Sequence, residues 1–209
     1  MSMKDIYSDT SFDAIMLKYG LALEMLETEL KVMIRNYEYT SKTTPVDHLK
    51  SRLKTKESII KKLHKKGYEI NNYNIMNHVH DIIGVRIVCS FLPDVYEIVN
   101  LIKSNNKFVI KEEKDYIKNP KETGYISYHL IVLVPVNLDG KEIKIEAEIQ
   151  IRTMAMDFWA SLDHKIRYKF RELPEEVEKE VYNSSLDIRA LDEKMYRLNE
   201  IAKKYKEEI

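Results

Sequence analysis

Cysteine is almost absent from this sequence: Cys89 is the single one among 209 residues. One thiol excludes an intrachain disulfide and fits a reducing compartment. It lies in the apolar run IIGVRIVCS without clustered Cys or His partners, so a buried, inert thiol is expected rather than a metal ligand. Net charge is lacking too, with 34 Lys/Arg balanced by 34 Asp/Glu. No global field draws the chain to nucleic acid or to a membrane surface, and any anion site has to come from local clustering. No stretch approaches the roughly 20 apolar residues that span a bilayer, and the opening MSMKDIYSDT has no apolar signal core. A soluble, cytoplasmic protein is expected. Internal repeats, low-complexity tracts and an evident linker are missing as well.

What is present describes a globular chain. The hydrophobic fraction is 44% and there are 14 tyrosines, and the length suits one sizeable domain with appended helices. Residues 10–40 predict a long amphipathic helix, with Thr10, Ser11 or Asp13 as cap and Leu17, Leu21, Met25, Leu26, Leu30 and Ile34 as its apolar stripe. SKTTPVD, 41–47, is a Pro-containing connection. A second helix is expected from about Thr55 to Lys66, stopping at Gly67, and a polar loop around NNYN follows. HVHDIIGVRIVCSF predicts a buried strand, Pro93 and Asp94 open the helix DVYEIVNLIKSN, and KFVIKEEKDYI is a weaker strand. YISYHLIVLVPV and KEIKIEAEIQIR flank NLDG, whose Asp-Gly pair favours a hairpin. A helix runs on from Thr153, and Pro174 begins the last helical region. The expected class is α/β (α+β), with a mixed sheet flanked by helices and long helices at both ends.

Four local patterns bear on chemistry. Residues 50–66 hold eight Lys/Arg against Glu57 alone. On a helix, Lys54, Ser58, Lys62 and Lys65 or Lys66 would share a face, a stripe suited to a polyphosphate, although solvated lysine faces are also common. Asp81 and Arg86 sit in HDIIGVRIV, where a charge inside an apolar run should be paired or functional. Strand parity puts them on opposite faces unless Asp81 precedes the strand or Gly84 accommodates a bulge. Asp81 could pair with Arg86, or serve as a ligand for Mg²⁺, which binds through one or two carboxylates plus substrate phosphates. His80-Asp81 also spells the pair of metal-dependent phosphohydrolases, but no matching upstream His set accompanies it.

In GYISYH, Tyr125, Ser127 and His129 alternate onto one face, fit either for holding a base and a sugar or for cross-strand packing. In IEAEIQIRT, residues 145–153, Glu146, Glu148, Gln150 and Arg152 line one face of a strand while Ile145, Ala147, Ile149 and Ile151 line the other. Glu148 could act there as a general base or a second metal contact. The polar face is either wetted surface or an active-site floor.

Taken in order, SRLKTKES, HDIIGVR, KETGYISYH and EAEIQIRTMAMDFWASLDHK resemble the synthetase domain of the alarmone, or (p)ppGpp, synthetases of the RelA/SpoT homologue family, across roughly residues 50–170. The resemblance implies a nucleotidyltransferase-like fold in one synthetase domain over 1–209, with a core of about 45–170 and helical arms, about 10–40 and 174–209, that serve oligomerisation. It implies a synthetase-only protein, a GTP pyrophosphokinase that moves the β,γ-pyrophosphate of ATP to the 3′-hydroxyl of GDP or GTP and leaves AMP. It implies Mg²⁺ on Asp81 and Glu148, with Glu148 activating the hydroxyl. Arg52 and Arg86 would sandwich adenine, and Lys54, Ser58, Lys62 and Lys65 would hold the ATP phosphates. Tyr125 would stack guanine, while Lys121, His129, Gln150 and Arg152 line the acceptor side.

Thr123 stands where long relatives often carry Asn before Gly-Tyr. Lys31 could serve an alarmone cleft at the centre of a homotetramer, but DHLK, 47–50, differs from the expected apolar and hydroxyl-bearing segment. The other readings are a nucleotidyltransferase that releases pyrophosphate and a non-catalytic nucleotide- or RNA-binding protein.

Overall fold

Period-two alternation builds the centre of the fold. The computed structural model describes residues 12–138, 140–170 and 173–207. Two long strands, β4 (Tyr128–Leu138) and β5 (Lys141–Thr153), pair antiparallel from Tyr128↔Ile151 to Leu138↔Lys141. Gly140 turns the hairpin with φ +75°, a conformation glycine adopts without steric cost. Its expected partner Asp139, like the candidate caps Thr10 and Ser11, lies outside the described residues. Around the hairpin stand β1 (Val46–Leu53), β2 (Ile83–Cys89) and β3 (Val109–Asp115), giving the order β1-β2-β5-β4-β3. Only β2 and β5 run parallel; the other neighbours are antiparallel. This is the mixed, helix-flanked α/β sheet expected.

One face of the sheet is apolar and covered. Helix α1 (Phe12–Ser41) and α4 (Leu92–Ser104) pack on it, burying Leu26, Leu30, Ile98 and Ile102 against Val132, Ala147, Ile149 and Ile151. The buried stripe of α1 is Ile15, Tyr19, Ala22, Leu26, Leu30 and Ile34, which corrects the expected one. Leu17 and Met25 point outward, 62% and 48% exposed. The helix is apolar over more than one face, so spacing alone did not identify the side that docks.

Two further corrections concern residues 46–80. β1 was not anticipated, because VDHLKSRL is a mostly polar edge strand without clean alternation. The expected polar loop contains a short helix, α3 (Asn72–His78), whose cap Asn71 accepts a hydrogen bond from Asn74 N at 2.8 Å. Helix α2 (Lys56–Lys65) ends before Gly67 at φ +74°, as expected, and Thr55, expected as its first residue, is its cap. Lys54 lies between β1 and this helix, so it is not part of the helical row in which it was placed.

Thr153 ends β5 and caps α5 (Met154–Lys169), accepting from Met156 N at 3.1 Å. Pro174 precedes α6 (Glu175–Glu207), which packs on α5 through Trp159, Ala160 and Val181. The Trp159 indole donates to Ser184 Oγ at 2.9 Å. No described helix is long and apolar enough to cross a membrane.

Candidate active site

The uncovered face of the sheet carries the polar alternates. Across β1, β2 and β5, Arg52 is registered with Gly84 and Gly84 with Glu148; one step on, Lys50, Arg86, Gln150 and His129 form the next row. Arg52, Asp81, Gly84, Arg86, Glu148 and Gln150 help line a cleft of about 240 Å³ there. Arg52 lies across Gly84, with its Cγ and Nε 3.5 Å from where a Cβ would stand.

Asp81 precedes β2, the first of the two placements its parity left open. It does not pair with Arg86. Lys54 Nζ donates to Asp81 Oδ2 at 2.6 Å and Lys62 Nζ to Oδ1 at 2.8 Å. Burial pushes the Asp81 carboxyl up, but the two lysine bonds and charges outweigh it and leave the group below its ordinary value. Ser58, in the first turn of α2, accepts from Thr55 Oγ1 at 3.1 Å. Lys65 is exposed in the last turn, and Lys66 turns away to His78 O at 2.9 Å. Of the basic helix, Lys62 is thus the residue bonded into the cleft.

The other group forms a directed chain. Arg152 can only donate, and its Nη2 donates to the Tyr125 hydroxyl and to Gln150 Oε1, the latter at 2.8 Å. The Tyr125 hydroxyl lies 2.8 Å from His129 Nε2, and His129 Nδ1 lies 3.0 Å from Glu148 Oε1. With Nδ1 donating to the carboxylate, Nε2 accepts from the Tyr125 hydroxyl in the neutral ring and donates to it in the charged one. Gln150 Nε2 donates to the second Glu148 oxygen at 2.8 Å. Burial raises Glu148, but the bond and charge of His129 and the Gln150 amide hold it below the ordinary carboxylate value, with Asp81 opposing them. Lys121 Nζ stands 4.9 Å from the Tyr125 ring centre and the Arg152 guanidinium 5.1 Å from it.

All the expected acceptor-side residues therefore meet. Ser127 is the exception within GYISYH: it is fully buried and accepts from Arg152 Nε at 3.2 Å, so it supports the arginine from behind. Lys31, the candidate for a regulatory cleft, donates to Glu27 on its own helix.

A family model described as the region found in RelA / SpoT proteins matches residues 51–172. Within that span lie all the residues of both groups. The GTP pyrophosphokinase YwaC of Bacillus subtilis is 45% identical over 181 residues, 86% of each chain. The chain belongs to the RelA/SpoT homologue family. The crystal structure of small alarmone synthetase 2 from Bacillus subtilis matches with a TM-score of 0.81 and 43% identity, over 90% of this chain and 97% of that one. Small alarmone synthetase 1 from the same organism, bound to its product pppGpp, matches at 0.82 and 34% identity, over 91% and 97%.

In this RelA/SpoT homologue, sequence reasoning passed over Asp157. It sits in the first turn of α5 and its Oδ1 lies 3.1 Å from both Arg86 Nη1 and Arg152 Nη1. The available signal was an acidic residue just beyond an arginine-bearing strand, at a position where helix-dipole stabilisation is explanation enough. Glu146 was also read only as part of the polar face. It is bonded by Lys111 and lies 2.8 Å from His80 Nδ1, which occupies His80 outside the Asp81 pair.

Proposed function

We propose that this chain is a GTP pyrophosphokinase that transfers the β,γ-pyrophosphate of ATP to the 3′-hydroxyl of GDP or GTP, forming ppGpp or pppGpp and leaving AMP. The observation that carries this reading is a single cleft holding two ionised carboxylates, one ringed by lysines and the other fixed by His129 and Gln150. Transfer between phosphate oxygens needs positioning and charge stabilisation more than covalent participation by the protein.

On the ATP side, Arg52 and Arg86 flank adenine with their guanidinium planes. Lys54, Ser58, Lys62 and Lys65 hold the phosphates. Lys54 and Lys62 both pair with Asp81, and two ammonium groups on one carboxylate leave a positive charge in excess to attract phosphate oxygens. On the acceptor side, Tyr125 stacks guanine, with Lys121, His129, Gln150 and Arg152 around the ring and its phosphates. Glu148, kept ionised, accepts the 3′-hydroxyl proton while the oxygen attacks.

Among the described residues, no cluster of three or more His, Cys, Asp or Glu is arranged to hold a metal ion. Mg²⁺ requires less when phosphates supply further oxygens, and Asp81 and Glu148 line the same cleft. Those two residues fit Mg²⁺, which when bound would offset charge developing on the phosphate oxygens. A cytoplasmic homotetramer completes the proposal. α6 supports self-association through Leu191, Met195, Leu198 and Ile201, each about half exposed.

The test is incubation of the purified protein with ATP, GDP and Mg²⁺, resolving products by anion exchange. AMP with a more highly phosphorylated guanosine nucleotide is expected. Free pyrophosphate with a guanosine–AMP adduct would replace this reading with nucleotidyl transfer. No turnover with GDP or GTP, alongside retained nucleotide binding, would favour a binding protein. GMP in the same assay defines the range of acceptors.

A further inference from the structure

The site reading assigns Arg86 to ATP and Arg152 to the acceptor, yet the two guanidiniums share one carboxylate oxygen. Arg86 Nη1 and Arg152 Nη1 each approach Asp157 Oδ1 to 3.1 Å. Arg86 comes from β2, Arg152 from β5 and Asp157 from α5, so three elements converge on that atom. The side chain of Arg152 is 5% exposed and that of Asp157 16%. Burial and the Arg152 charge both disfavour a charged Arg86, with Arg52 adding to the repulsion, and Asp157 opposes them. Among the described residues, Asp157 is the only carboxylate paired with either Arg86 or Arg152. Arg86 Nε is buried and has no hydrogen-bond partner there, and the guanidinium is ion-paired to Asp157 through Nη1.

From Arg152 the network continues to Gln150 and then to Glu148, and separately to the Tyr125 hydroxyl. An ion pair from Arg86 to Asp157, continued by hydrogen bonds through Arg152, thus joins the arginine on the ATP side to the carboxylate and the aromatic ring on the acceptor side. We infer that Asp157 is a positioning residue that sets Arg86 and Arg152 together and makes occupation of either nucleotide subsite strengthen the other. The sign follows from the shared oxygen. An oxygen accepting two cationic donors divides its attraction between them. When Arg86 swings onto the adenine face, the carboxylate is left to Arg152 alone, which tightens the arginine that holds Tyr125 and Gln150. Linkage makes the effect reciprocal, so a bound acceptor equally favours ATP.

This inference rests on the assignment of the two arginines to different nucleotides, and the test separates the two claims. GDP binding is measured by calorimetry with Mg²⁺, with and without saturating α,β-methylene ATP, in wild type, Asp157→Asn and Asp157→Glu. In wild type the analogue is expected to tighten GDP by at least about fivefold, the lower end of ordinary coupling. In Asp157→Asn that factor should fall toward one, while each nucleotide alone still binds. Asp157→Glu, which restores the charge, should recover part of it. A charge that merely stabilised the start of α5 would lower the unfolding temperature of Asp157→Asn and leave the coupling factor unchanged, and that result overturns the inference. Equal GDP affinity with and without the analogue in wild type also overturns it, with the functional reading intact. Failure of wild type to bind either nucleotide overturns the functional reading and the inference together. If Asp157→Asn does not fold, the Asp157→Glu factor decides alone: a reduced value supports the role and an unchanged one removes it.

Discussion

Glu148 and Asp81 are alike in charge and differ in what surrounds them. Glu148 is held by an imidazole and an amide, groups that orient it without covering its role as proton acceptor. Glu148→Gln keeps the shape and loses the base, so kcat should fall by about 10²–10⁴-fold with nucleotide affinities little changed. Turnover close to wild type would remove Glu148 from that role. Asp81 instead pairs with both Lys54 and Lys62. Asp81→Asn should therefore tighten binding of Mg²⁺-free ATP by freeing the lysines, while turnover with Mg²⁺ falls by at least about 10²-fold. Unchanged Mg²⁺-free affinity would show that the lysines do not reach the phosphates. Asp81 also contributes to stability. Its folded pKa is depressed, so its contribution is present above the unfolded value near 4 and is lost as pH falls through the lower folded value. The stability gap between wild type and Asp81→Asn, read from urea midpoints, should narrow as the solution is acidified.

At the scale of elements, α6 holds the acceptor side from outside. Gly124 has φ +85°, and a Cβ added there would stand 2.4 Å from Ser185 Oγ and 2.9 Å from Ser185 Cβ. Gly124→Ala faces both an unfavourable backbone and a clash with α6, the first costing about 1–2 kcal/mol. The expected result is a lower unfolding temperature and a raised KM for the acceptor, because Tyr125 follows directly. Adding Ser185→Gly should recover the steric part and leave the backbone part. Full recovery in the double variant would place the whole cost in the clash. Farther along α6, the buried Asp192 accepts from the Thr153 hydroxyl that caps α5. Burial raises its pKa despite that bond, so stability falls as pH rises from the unfolded value through the folded one. Asp192→Asn can keep the Thr153 bond without a buried charge and should melt a few degrees higher at neutral pH. A lower melting point would mean that the ionised form is favoured there.

The whole molecule presents a covered and an open face of one sheet, with α5 and α6 at its side. The apolar residues that α6 leaves exposed, Leu191, Leu198 and Ile201 among them, and Leu17 and Met25 on α1 are more than the fold covers by itself. Light scattering of the intact chain should give four times the chain mass, and Leu198→Glu should shift it toward smaller species. A monomer at micromolar concentration would restrict the helical arms to packing within the chain.

Much of this was legible in the residues. The alternation in 141–153 fixed which side chains of β5 face inward, since the strand period is two and one face was wholly apolar. The stop signal of α2, the hairpin at Gly140 and the helix after Thr153 were local as well, because each depends on backbone groups a few residues apart. β1 escaped because an edge strand buries little and need not alternate cleanly. The docking side of α1 escaped because the helix has apolar residues on more than one face. The sequence by itself determined which chemical groups were available and the direction in which β5 presents them. The tertiary structure decided their partners: two lysines on Asp81 and not Arg86, His129 on Glu148, and one Asp157 oxygen between two arginines. Side-chain pairing between strands and helices depends on how the sheet and α5 meet in space, and no local spacing carries that information.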